Sequence, residues 1–179
     1  PLILALSYDE EIGCFGAPRM IRELMERLPK PALCIVGEPS MMGVVNAHKG
    51  IATHRTSVTG FEAHSAHTDK GVNAVAAATR LAAFLHDIAD DFRSQGPFDE
   101  RFDPVYTTLG VNVINGGTAH NIVARECSFV WDCRTIPGMS ADDVLARLNA
   151  KAAAMLPAMR SVFPGADIVT ERLASVPGL

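Results

Sequence analysis

Asp9, Glu10 and Glu11 stand side by side at the end of an apolar run that opens the chain, Pro1-Leu-Ile-Leu-Ala-Leu6. Three adjacent carboxylates repel one another, so the cluster needs a cation or several hydrogen bonds to be tolerated. A further acid, Glu38 in Gly37-Glu38-Pro39, follows a second apolar run over 32–36. If these runs are neighbouring parallel strands, both acids lie beyond the carboxyl ends, where ligand sites of α/β layers sit. Carboxylates on such a rim suit zinc, cobalt or manganese. The competing reading is a solvated acidic turn.

His64 and His67 fall in Glu62-Ala-His64-Ser65-Ala-His67. This spacing can supply two ligands, yet HExxH is absent, which disfavours a zincin. The alternative is one functional histidine beside one surface histidine. His48, His54, His86 and His120 have no neighbours that single them out and are expected to be structural or exposed. Gly116-Gly117-Thr-Ala-His-Asn121 has the composition of a phosphate loop, but no helix follows it to offer an anion its N-terminus. GxGxxG, Walker and GxSxG sequences are missing. Cys14, Cys34, Cys127 and Cys133 form no CxxC pair and are expected to be buried thiols in a reducing compartment.

Particular elements must hold these groups. Residues 2–7 predict a strand. Met20, Ile21, Leu24, Met25 and Leu28 recur at helical spacing after Pro18 and predict a helix, ended by Pro29 and Pro31. Residues 32–36 predict a second strand, giving strand-helix-strand, half of a parallel α/β layer. From residue 48 the order changes. Residues 51–59 alternate and predict a half-exposed strand. A polar loop spans 60–71, and a helix spans 72–88. A long surface loop is expected over 90–104, then strands over 107–114 and 122–134. Ser140, with Asp143 three residues on, reads as an N-cap pair for a helix over 141–156. A last strand begins at 166. This β-α-β-β-α-β order predicts an α+β, ferredoxin-like layer, two helices on one face of a four-stranded sheet. The expected organisation is therefore an α/β fragment over 1–45 and a ferredoxin-like domain over 46–179.

With 179 residues, 16 basic and 20 acidic side chains and a net charge of −4, a basic nucleic-acid footprint is not expected. Apolar stretches are too short to span a bilayer, and no leader pattern opens the chain. The apolar start, and the stop just after a strand-like run, read as the ends of a fragment.

The motifs Leu6-Ser-Tyr-Asp-Glu10-Glu11, Val36-Gly-Glu38-Pro-Ser40, His48-Lys-Gly50, His64-Ser65-Ala66 with Gly71-Val-Asn-Ala74, Gly116-Gly117 to Asn121, and Asp132-Cys-Arg134 with Pro137-Gly138 stand in one order. In that order the chain resembles the zinc-dependent aminoacylase and carboxypeptidase family, chiefly its acetylornithine deacetylases. The resemblance implies a parent enzyme that hydrolyses the amide of an N-acyl amino acid, N-acetylornithine to ornithine plus acetate, through a metal-activated water. It implies that Glu10 is the general base and that Glu11 and Glu38 each bind one of two zinc ions, with cobalt as an alternative. It implies that His64, on a lid, reaches across a homodimer to stabilise the oxyanion, and that Asn121 and Arg134 hold the substrate, Arg134 by a carboxylate. Residues 1–45 would be part of the metal-binding catalytic domain and 46–179 the lid and dimerisation domain of a cytoplasmic enzyme of amino-acid (arginine) biosynthesis. Thr68, preceded by His67, replaces the proline expected after the His-Ser-Ala segment.

That family's remaining metal ligands, a histidine and an aspartate upstream and a histidine downstream, have no counterpart here, so the chain alone is expected to bind metal weakly and to be inactive. Rival readings are a non-catalytic dimerisation module, another deacylase, desuccinylase or carboxypeptidase of the same family, and a small-molecule-binding regulatory domain.

Overall fold

The computed structural model describes every residue except Pro1, Ile12 and Phe15; Pro1 of the opening apolar run thus lies outside the described residues. The chain divides into two compact units, Pro1–Val45 and Asn46–Leu179.

The first unit holds one helix, α1 (Ala17–Arg27), with Gly16 at its N-cap and proline in its first turn. The apolar spacing of Met20, Ile21, Leu24 and Met25 forms the helix, but none of its residues is buried. The expected strands are not formed. Residues 2–9 and 32–39 belong to no helix or strand and are exposed. A parallel strand needs ladder partners and cover on both faces, and α1 supplies neither.

The second unit follows the expected order: β1 (Gly50–Thr59), α2 (Ala74–Gln95), β2 (Thr108–Gly116), β3 (Glu126–Thr135), α3 (Ala141–Val162) and β4 (Asp167–Val176). The strands lie in the order β2-β3-β1-β4 with all neighbours antiparallel. This is the ferredoxin-like layer, and the chain as a whole is mixed α/β. Alternation fixes the two faces of the sheet. Ala52, His54, Thr56 and Val58 of β1 are buried, as are Cys127, Phe129, Trp131 and Cys133 of β3. Val58 and the four β3 residues pack with Leu81, Leu85, Ile88 and Phe92 of α2 and Val144, Leu148 and Ala152 of α3. The opposite face carries Thr53, Arg55 and Ser57 of β1 with Ser128, Asp132 and Arg134 of β3, and neither α2 nor α3 packs on it.

Several boundaries differ from the expected ones for local reasons. α2 runs on to Gln95, through part of the expected loop, because Phe92 continues the buried stripe of Leu85 and Ile88; Gly96 at φ 77° then ends it. Asn73 caps its start, accepting from the Ala76 amide at 3.0 Å. α3 passes Pro157, which lies on the exposed side of the helix, where the carbonyl it leaves unbonded meets water. Ser140 caps α3 through the Asp142 amide. Residues 122–125 leave the strand because they bond to the 60–74 loop: Val123 N–H donates to Ala63 O at 2.8 Å, and Ala74 N–H to Ala124 O at 2.8 Å. Among the described residues no helix is long and apolar enough to cross a membrane.

Candidate functional site

Two loops meet at one end of the sheet, 60–71 after β1 and 117–125 between β2 and β3. Gly60 N–H donates to Arg125 O at 2.6 Å, Phe61 and Val72 exchange a pair of backbone bonds, and His64 bridges to Ile122. This close meeting requires glycine. A Cβ on Gly60 would stand 2.0 Å from Val72 O, and one on Gly71 would stand 2.8 Å from a Val123 methyl.

The stitching brings His64 and Asn121 together, with Ser65 N–H donating to Asn121 O at 2.9 Å. His64 turns back on its own loop, and its Nδ1 accepts the Ala66 N–H at 3.1 Å. An accepting Nδ1 puts the neutral ring's proton on Nε2. His64 is thus an exposed imidazole that offers one N–H donor outward. An open cleft of about 430 Å³ lies at this end of the sheet, lined by Ser57, Thr59, Asn115, Thr118, Arg125 and Ser128 among others.

Arg134 is not part of this cluster. It lies near the other end of β3, opposite Ile51 and Thr108, whereas Glu126 begins that strand beside the loops. Eight residues of strand separate the two ends by about 27 Å. Arg134 Nε donates to Asp132 Oδ2 at 2.9 Å, and Asn112 Nδ2 donates to Asp132 Oδ1 at 2.9 Å. Asp132 lies in the Asp132-Cys-Arg134 motif, but nothing in the sequence marks a role for it or for Asn112. Asn112 sits at an irregularity of β2 between Val111 and Val113, and no residue pattern announces it.

Glu10, Glu11 and Glu38 belong to the first unit, and all three are exposed. Glu10 O accepts from Gly13 N–H and Cys14 N–H, which closes a turn around the acidic run. Among the described residues no three His, Cys, Asp or Glu side chains come together as a metal site. Two exposed carboxylates fall short of the four donors of a structural zinc or the three of a catalytic one.

The cysteines divide. Cys127 and Cys133 are buried as expected, and burial pushes the Cys133 thiol up to about 12, which removes it as a nucleophile. Cys14 and Cys34 are exposed, contrary to expectation, since their stretch of chain has no core to enter.

Comparison with known proteins bears on the family. Residues 46–160 match the peptidase dimerisation domain of the M20 family. The acetylornithine deacetylase of Myxococcus xanthus is 37% identical over 144 residues, covering 80% of this chain and 37% of its own length. That of Klebsiella pneumoniae is 30% identical over 178 residues, covering 99% of this chain and 44% of its own. The chain thus spans less than half the length of these curated relatives. Two solved structures share the fold. One is an aminobenzoyl-glutamate utilization protein from Klebsiella pneumoniae (TM-score 0.56, 18% identity, 73% of this chain and 30% of that one). The other is a hydantoinase/carbamoylase-family amidase from Burkholderia multivorans (TM-score 0.52, 19% identity, 74% and 29%). The matched stretch covers β1 to most of α3, the same residues that build the ferredoxin-like layer and its loop cluster, and the chain belongs to the M20 peptidase family.

Proposed function

We propose that this chain is part of an amide hydrolase of the M20 family that acts on N-acyl amino acids, N-acetylornithine foremost, releasing acetate and the free amine. The names of the acetylornithine deacetylases it matches support the substrate class. The single observation that carries the reading is the exposed His64 ring, whose Nδ1 accepts the Ala66 amide and leaves Nε2 as the donor, on a loop whose Ser65 N–H bonds to Asn121 O. A positioned N–H donor of this kind stabilises the oxyanion of an amide under attack.

In this reading Glu10 takes a proton from the attacking water and delivers it to the leaving amine. Asn121 holds the substrate, and Arg134 receives its α-carboxylate at two points. Glu11 and Glu38 would be two donors of the zinc centre that the family implies, which cobalt could replace. They do not complete one, so the chain by itself is proposed to lack amidase activity.

The separation of His64 and Arg134 supports a homodimer. No single N-acetylornithine reaches across about 27 Å, so one substrate meets Arg134 of one copy and His64 of a second. The exposed free thiols Cys14 and Cys34 support a reducing, cytoplasmic setting, where ornithine release would serve amino-acid biosynthesis. The test is acetate release by the full-length protein supplied with zinc and N-acetylornithine. Metal-dependent release is expected, and no release from any N-acyl amino acid would overturn the reading. A non-catalytic dimerisation module is the second reading, favoured by the family match over 46–160; a dimer by light scattering from a full-length protein that releases no acetate would support it.

A further inference from the structure

We propose that Asn112 and Asp132 are positioning residues that hold Arg134 ready for a carboxylate. This rests on the reading of Arg134 as the group that receives the substrate's carboxylate.

Several features of the sheet face opposite α2 and α3 converge on the Arg134 side chain. Asp132 and Arg134 are two residues apart on β3 and so lie on one face. Arg134 Nε donates to Asp132 Oδ2 at 2.9 Å, which leaves the four Nη protons free, two of them along the outer edge of the guanidinium. That edge can meet a carboxylate at two points. Asn112 Nδ2 donates to the other oxygen, Oδ1, also at 2.9 Å, so the carboxylate is held at both ends and cannot swing away.

Asn112 reaches Asp132 because the β2–β3 pairing shifts between Val111 and Val113 and leaves Asn112 unmatched. A bulge of this kind re-aims a side chain. Gly110, directly opposite Asp132, leaves the space, since a Cβ there would stand 3.2 Å from Asn112 Oδ1. Arg134 and Asp132 are partly exposed, and ion pairs in such settings add little to fold stability. A bulge, a glycine and an amide spent on one exposed carboxylate are accounted for by orientation of Arg134.

The test has two arms. In the 179-residue chain, NMR follows hydrogen exchange at Arg134 Nε, with Arg134→Lys identifying the signal. Asn112→Ala is expected to speed exchange about fivefold. In the full-length protein, Asn112→Ala and Asp132→Asn are each expected to raise KM about tenfold for N-acetyl amino acids, with kcat within about twofold. Neither should change KM for the corresponding carboxamides, a contrast that loss of folding would not produce. Unchanged exchange and unchanged KM in Asn112→Ala overturn the positioning role. If exchange responds but Arg134→Ala keeps the preference for carboxylate over carboxamide, the reading of Arg134 has failed and the proposal falls with it.

Discussion

His64 presents one ring nitrogen to solvent because the other is engaged by the backbone two residues on. That local bond converts an ordinary loop histidine into a fixed donor, and it gives a sharp expectation. His64→Ala in the full-length protein should lower kcat by about 10²–10³-fold, as loss of an oxyanion donor does. Ala66→Pro, which removes the N–H that Nδ1 accepts, should lower kcat as well while leaving the side chain in place. Steady-state kinetics of both variants check this, and a kcat unchanged in either would argue against the tautomer's role. Glu10→Gln should cost about 10²–10⁴-fold in kcat with unaltered metal content, read by elemental analysis alongside the rate.

Among the elements, the contact between β1, β4 and the start of α3 holds a buried histidine and should respond to acid. His54 is fully buried on β1 and stacked on Trp131 with ring centroids 4.2 Å apart. Its Nε2 accepts from Arg172 Nε at 3.5 Å, and among the described residues its Nδ1 has no partner. Arg172 in turn pairs with Asp142 at the N-terminus of α3. Burial holds the imidazole below its ordinary value of 6.5, the Arg172 charge lowers it further, and Asp142 opposes them. A folded-state value below the unfolded one means that the unfolded chain binds the extra proton first. Stability should therefore be complete above about pH 6.5 and fall as pH drops through that value toward the depressed folded one. Urea midpoints between pH 7.5 and 5 measure this, and His54→Gln should flatten the dependence; a midpoint independent of pH in the wild type would refute it. The sole tryptophan, Trp131, provides the fluorescence signal. Deep in the same layer, Leu81→Ala should cost about 2–5 kcal/mol, measured in the same titration, because Leu81 is fully buried between helix and sheet. Much of this layer was legible from alternation in residues 51–59 and helical spacing in 72–88, since both patterns come from burial on one face. The end of α2 was misplaced because charged Asp90, Asp91 and Arg93 surround Phe92 and mask the last buried turn. The strands expected over 2–7 and 32–36 failed because an apolar run specifies burial without specifying what covers it. The Asn112–Asp132–Arg134 set was invisible, because a register shift between β2 and β3 leaves no periodic trace in either strand.

At the level of the whole molecule, the ends of one sheet carry different chemistry, a histidine donor at one and an arginine at the other. In the proposed homodimer, a two-fold axis would bring opposite ends of two copies to one substrate. The two side chains are therefore expected to act in different copies, and this can be read without a structure of the complex. Full-length His64→Ala and Arg134→Ala proteins, each close to inactive alone, are mixed, dissociated and reassociated, and acetate release is measured. In each mixed dimer one of the two sites receives both native side chains, so statistical reassociation should restore about a quarter of the wild-type rate. A mixture no faster than its two components would contradict the division of the site between copies.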